Sequence, residues 1–116
     1  MSVEIRNEDK TMKNLSEAKR LIKKGAKIKV INHWKTGEKI TERKVVKVLT
    51  NSFVTAFKEN ENYFEVNCDW QKAEHMKFNG NKIEFLAHKV PCGNFEYIYP
   101  SAFKEGETWL TIIVEE

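Results

Sequence analysis

The chain has 116 residues, of which 41% are hydrophobic and 32% are charged, with a formal net charge of +3 at pH 7. This composition excludes an intrinsically disordered chain, because it supplies enough apolar side chains for one core. It contains neither an apolar run long enough to span a bilayer nor the apolar stretch of a signal peptide, so we expect a cytoplasmic protein without membrane contacts.

A capped helix is predicted at the start of the ordered chain. The first residues are polar and lack periodicity, which indicates a flexible N-terminal arm over residues 1–13 and a single domain over residues 14–116. Asn14 is suited to cap a helix, and Glu17, three residues later, completes a capping box. Apolar residues then recur at helical spacing until a glycine ends the pattern. We therefore predict one main helix within residues 14–24.

The rest of the chain is predicted to form β-strands. Residues 26–34 alternate apolar and polar side chains, which is typical of a half-buried strand, and residues 35–38 carry a turn signal. Residues 43–50 and 53–57 are rich in β-branched and aromatic side chains and predict either a hairpin or one long bent ribbon. Further strands are predicted at residues 63–70, 76–78, 83–85, 95–99 and 109–114.

The order of these elements predicts a fold class. Asn79-Gly80 lies between two predicted strands and tolerates the positive φ angles of a tight hairpin turn. One helix followed by seven or eight short strands indicates an α+β fold. In that fold the N-terminal helix packs on a strongly bent antiparallel sheet or on a small partly open β-barrel.

Positive charge is concentrated in the first part of the chain. Residues 1–48 contain fourteen Lys and Arg against six Asp and Glu, whereas residues 49–116 contain six against eleven. Such asymmetry can attract an anionic partner. A solvated lysine-rich face without a partner gives the same pattern. The lysines favour the second interpretation, because recognition of phosphates and bases tends to use arginine. The candidates for an anion-binding surface, with two residues available for stacking, are Lys19, Arg20, Lys23, Lys24, Lys27, Lys29, His33, Trp34, Arg43, Lys44 and Lys47.

The sequence contains no pattern that identifies a metal, a cofactor or a reaction. Cys68, His75, His88 and Cys92 could supply two sulfur and two nitrogen ligands, but they lack the close pairing of zinc knuckles, so we expect no metal. Neither a Gly-x-Ser-x-Gly elbow nor a phosphate-binding glycine loop is present. We therefore expect a protein that is not an enzyme and that needs no cofactor.

Three segments carry a likeness to a known group of proteins: Leu21–Ile31, Arg43–Phe53 and the stretch from Trp70 to Asn81. In the order of their strand and turn patterns they resemble small uncharacterised proteins encoded by phages and prophages, and the likeness extends over residues 14–86. The resemblance implies an accessory protein that works by binding, and it assigns no catalytic or binding residue.

Three functions follow as expectations. The leading one is a non-enzymatic phage or mobile-element accessory protein that binds a host protein, as an inhibitor of that protein or of a defence system. Complementary charge would then set specificity and association rate. The alternative is a small barrel that binds nucleic acid directly through the basic N-terminal half. The third is a pocket for a small anionic nucleotide ligand.

Overall fold

The computed structural model describes residues 11–34 and 37–115. Within these residues the chain is mainly antiparallel β-sheet, with one short α-helix, α1 at Leu15–Leu21, and a single 3-10 turn at Ala73–His75. The strands are β1 (Lys27–Trp34), β2 (Gly37–Val48), β3 (Ser52–Glu59), β4 (Asn62–Asp69), β5 (Met76–Asn79), β6 (Lys82–Leu86), β7 (His88–Cys92), β8 (Phe95–Tyr99) and β9 (Thr108–Glu115).

The helix cap predicted from the sequence is confirmed, but the helix ends earlier than predicted. The Glu17 N–H donates to Asn14 Oδ1 over 2.9 Å, and the Lys13 N–H donates to the Glu17 carboxylate over 2.8 Å. Ile22 already leaves the helical conformation, at φ −89° and ψ 84°. The chain turns there toward β1 through Gly25, whose φ of +95° favours glycine and whose N–H donates to a β2 carbonyl.

Seven strands form one antiparallel sheet in the order β4-β3-β2-β1-β9-β6-β5, and β7 and β8 pair separately. In the described part of the chain β4 and β5 do not pair with each other, so no closed barrel forms. The predicted hairpin at Asn79-Gly80 is confirmed, and residues 43–50 and 53–57 form a hairpin with a bulge between Val45 and Lys47. The sequence did not predict β7.

The core lies on one face of the seven-stranded sheet, which we call the core-bearing face. Helix α1 contributes Ala18, and Ile22 follows directly after the helix; the strands contribute alternate residues. The buried hydrophobic cluster consists of Met12, Ala18, Ile22, Ile28, Val30, Val45, Phe53, Met76, Ile83, Phe85, Leu110, Ile112 and Val114.

Two predicted segments fall partly outside the described residues. Residues 1–10 of the predicted arm lie outside them, but Met12 is buried and its N–H donates to the Gly80 carbonyl over 2.7 Å. Lys35 and Thr36 of the predicted turn also lie outside, whereas the next two residues of that turn belong to β2. The packed part of the chain therefore includes residue 12.

No helix within residues 11–34 and 37–115 combines the length and the apolar character that crossing a bilayer requires.

Candidate functional site

An open cavity of about 260 Å³ lies on the core-bearing face. Strands β1 to β4 form one side of it, and β8 and β9 contribute two aromatic residues, Tyr99 and Trp109. The lining surface is more apolar than polar, and nearly half of the lining residues are polar, among them Asn32, Arg43 and Thr55. A mostly apolar concavity with a few convergent polar groups is the usual form of a small-molecule site.

Arg43 is held in place by two threonines and a phenylalanine. Its Nε–H donates to Thr41 Oγ1 over 2.9 Å, and its Nη1–H donates to Thr55 Oγ1 over 3.0 Å. The buried Thr55 hydroxyl in turn donates to the Val66 carbonyl over 3.3 Å. The guanidinium carbon lies 4.6 Å from the centroid of the Phe57 ring, a cation–π distance. The side chain is thus fixed before any ligand arrives.

The guanidinium of Arg43 has no carboxylate partner among the described residues. Asp69 also borders the cavity, but the register of β4 with β3 places its side chain on the opposite face, where its carboxylate accepts from the Asn67 amide over 2.9 Å. Burial lowers the pKa of Arg43, and the nearby Cys68 opposes this effect. Arginine nevertheless keeps its proton at neutral pH. A half-buried positive charge without a counter-ion is unfavourable, and an anion placed in the cavity would relieve it.

Aromatic rings form the opposite wall of the cavity. The centroids of Tyr99 and Trp109 lie 5.7 Å apart with the rings nearly perpendicular, and Trp109 makes a similar contact with Phe85 at 5.6 Å. The Trp109 indole N–H is buried and has no acceptor within the part of the chain that the structure describes. The wall therefore offers ring surface close to the positive charge of Arg43.

Cys68 borders the same cavity but is not suited to act as a nucleophile. Burial raises its pKa to about 12, with the positive charge of Arg43 acting in the opposite direction and Asp69 in the same one. The thiolate is the reactive form of cysteine. At neutral pH Cys68 is therefore a neutral thiol, and the cavity contains no activated sulfur.

The eleven residues predicted to form an anion-binding surface do not lie on one surface. Five of them project from the face opposite the core, four lie on or just after α1, and Arg43 and Trp34 lie on the core-bearing face. The groups are Lys27, Lys29, His33, Lys44 and Lys47 on the opposite face, Lys19, Arg20, Lys23 and Lys24 at the helix, and Arg43 with Trp34 on the core-bearing face.

Acidic residues interrupt the lysines of the opposite face. Lys27 pairs in register with Lys44, but its other cross-strand neighbour is Glu115, and the Lys29 ammonium lies 3.7 Å from the Glu115 carboxylate. Glu42 is the cross-strand partner of Lys29. These contacts lower the positive charge available to a long polyanion.

The two candidates for stacking have other contacts. His33 uses both ring nitrogens, Nδ1 with Glu38 Oε2 at 2.9 Å and Nε2 with Thr111 Oγ1 at 2.8 Å. Trp34 packs against Phe103 with centroids 6.0 Å apart, although 53% of its surface stays exposed. Trp34 therefore presents more ring surface to solvent than His33, whose side chain is 25% exposed.

Sequence reasoning missed most of the cavity. Thr55, Tyr99 and Trp109 were not predicted as site residues, because each is an ordinary strand residue in the sequence. One signal was present: Arg43 and Val45 have the same parity along β2, which places Arg43 on the buried side and Lys44 on the other.

Cys68, His75, His88 and Cys92, considered above as possible zinc ligands, do not converge within the described residues, which contain no group of three or more potential metal ligands. His75 and His88 do come together, with stacked rings. The expectation that the protein needs no metal stays a prediction.

Comparisons with protein-family models, with curated proteins and with solved structures found no match to this chain. Its resemblance to phage-encoded proteins therefore stays a prediction. The candidate site depends on its geometry alone.

Proposed function

We propose that the protein acts by binding a small anionic ligand of the nucleotide class, with the anionic group at Arg43 and the ring against the aromatic wall of the cavity. The observation that supports this proposal is the half-buried guanidinium without a carboxylate partner among the described residues. This function was the third expectation from the sequence.

The geometry of Arg43 suits a phosphate. Arginine has five N–H donors, and the contacts with Thr41 and Thr55 use one on Nε and one on Nη1. The remaining donors have no acceptor in residues 11–34 and 37–115, so they are free for a bidentate contact. Because the two threonines hold the Arg43 guanidinium in one orientation, little side-chain entropy is lost when the ligand binds.

The size of the cavity and its ring surface support the nucleotide class. A volume of about 260 Å³ is near the lower limit of the ~300–1,000 Å³ typical of ligand sites, so an open cavity of this size suits part of a nucleotide. Tyr99 and Trp109 supply rings for a base, which stacks on aromatic faces at about 1–3 kcal/mol per base. The interrupted lysines support a compact anion more than an extended phosphate backbone.

The test is ligand-induced thermal stabilisation and calorimetry with AMP, GMP, adenosine and inorganic phosphate. We expect a mononucleotide to raise the Tm of the wild type, because a ligand at 100 times its Kd stabilises the folded state by about 2.7 kcal/mol. Arg43→Met should abolish the rise, and Arg43→Lys should weaken it because lysine lacks the fork. Arg20→Met, on the exposed surface of α1, is the matched control.

Two results would contradict the proposal. One is a Tm rise that Arg43→Met keeps, which would place the ligand elsewhere. The other is the absence of any response to the nucleotides and phosphate in a wild type that unfolds cooperatively. Urea titration of each variant without ligand separates a loss of binding from a loss of folding.

A further inference from the structure

Strand β4 is the longer of the two edge strands of the seven-stranded sheet in the described part of the chain. It contains eight residues, whereas β5 at the other edge contains four, with Met12 bonded to Gly80 just beyond its end. No described strand pairs with the outer side of β4. Met12 lies beside β5, at the opposite side of the sheet, so the chain before β1 does not cover β4 where it is described.

The free backbone groups of β4 can be assigned from the hairpin that precedes it. Asn60 and Glu61 form a two-residue turn with φ of 52° and 69°, and Glu59 is the partner of Asn62. Residues that flank such a turn form a hydrogen-bonded pair, and the pattern then alternates along the strand. The N–H and C=O groups of Tyr63, Glu65 and Asn67 consequently point away from β3.

This edge lacks most of the features that protect sheet edges in natural proteins, although it carries two acidic side chains, Glu65 and Asp69. It contains no lysine, arginine or proline, and it has no bulge in its pairing with β3. Its large side chains are exposed: Tyr63 at 57%, Phe64 at 41% and Val66 at 38%. Phe64 also stacks on Phe57, the ring beneath Arg43, with centroids 5.4 Å apart. A long edge strand with exposed apolar side chains on one face can accept another strand.

The side chains of β4 specify the chemistry of that strand. Phe64 and Val66 lie on the core-bearing face, and Glu65 and Asp69 lie on the other. A neighbouring strand would therefore place apolar residues beside the first pair and residues of opposite charge beside the second. A second copy of this chain would gather the carboxylates of both β4 strands on one face, which is unfavourable.

We infer that β4 docks an extended segment of a partner protein in which lysine or arginine alternates with apolar residues, so that the segment becomes an eighth strand of the sheet. The backbone groups of Tyr63, Glu65 and Asn67 supply the affinity, and the alternation supplies the specificity. This inference does not depend on a ligand at Arg43.

The experiment uses the full chain and a capped, labelled peptide of alternating valine and lysine. We expect binding by fluorescence anisotropy and slower amide exchange at Tyr63, Glu65 and Asn67 in the complex. A peptide with valine and glutamate, and one with the valine and lysine order scrambled, should bind at least about tenfold more weakly.

Two variants test the edge without removing core residues. Glu65→Lys should weaken binding of the lysine peptide by about tenfold or more, since it reverses the charge and protects the edge. Asn67→Pro removes an outward N–H and should also weaken binding without breaking a bond to β3. Glu96→Lys, on exposed β8, is the matched control and should bind like the wild type.

Three results would overturn the inference. The first is equal binding of the alternating and scrambled peptides, and the second is binding that Glu65→Lys and Asn67→Pro leave unchanged. The third is a peptide-free dimer in sedimentation that Asn67→Pro dissociates, which would assign the edge to a second copy. Circular dichroism of both variants confirms that they fold.

Discussion

The imidazole rings of His75 and His88 stack face to face, with centroids 3.7 Å apart and planes 6° from parallel. Burial lowers the pKa of His75, and so does the positive charge that His88 acquires when protonated. The Glu74 carboxylate, 3.5 Å from His75 Nε2, acts in the opposite direction, and Lys72 lowers the pKa slightly further. This contact joins the 3-10 turn to β7, and the neighbouring Tyr99 ring lies 6.0 Å from that of His88.

Acidification should therefore destabilise the fold through His75. Because its pKa is lower in the folded state, the unfolded chain binds more protons, and stability present above the ordinary value of about 6.5 is lost as pH falls below it. We expect the urea midpoint to fall between about pH 7 and pH 5. His75→Phe, which keeps a ring but cannot titrate, should reduce the fall. An equal fall in His75→Phe would refute this assignment.

The two cysteines should differ in reactivity. Cys92 is exposed, whereas burial raises the pKa of Cys68 to about 12. Iodoacetamide at about pH 8 should label Cys92 quickly and Cys68 only after unfolding, as mass spectrometry of tryptic peptides would show. In Cys92→Ser, rapid labelling of the native protein should be absent. Equal rates at the two sites would disprove the burial of Cys68.

Removing the anchor of Arg43 should cost stability. Thr55→Val leaves the Arg43 Nη1–H without its acceptor in a partly buried position, for which the typical cost is about 1–3 kcal/mol. Urea titration of Thr55→Val and the wild type measures this cost as the difference between their free energies of unfolding. Thr50→Val, at an exposed position between strands, is the control and should change stability by less than about 0.5 kcal/mol. Equal effects would show that the Thr55 contact is not formed in solution.

The N-terminal cap of α1 should also contribute measurably to the stability of the protein. Asn14→Ala removes the acceptor of the Glu17 N–H and should lower the free energy of unfolding by about 1 kcal/mol. Ser16→Ala, at an exposed position inside the helix, should be neutral or slightly stabilising because alanine favours helix. The prediction fails if both variants unfold at the same urea concentration.

Local features of this fold could be predicted from the sequence because their causes are local. The Asn14 cap, the turn at Gly80 and the alternation within β4 each depend on a few neighbouring residues. The early end of α1 could not be predicted from neighbouring residues. The chain leaves the helix toward a hydrogen bond from the Gly25 N–H to a β2 carbonyl, and this bond depends on a strand that is distant in the sequence.

Features that depend on strand order were not accessible from the sequence. The pairing of β9 with both β1 and β6 unites residues far apart in the chain, and no local pattern encodes it. The candidate site was missed for the same reason. Clustering along the sequence suggested one basic surface, but the pleat of β2 sends Arg43 and Lys44 to opposite faces.

The central position of β9 constrains how this protein can be made. The strands β1 to β4 form a meander that can assemble while the chain is still being synthesised. Strand β6 has no partner on its inner side until residues 108–115 leave the ribosome. The buried Ile112 and Val114 arrive with them. Completion of the sheet therefore waits for β9, and until β9 is in place the facing edges of β1 and β6 lack their partner.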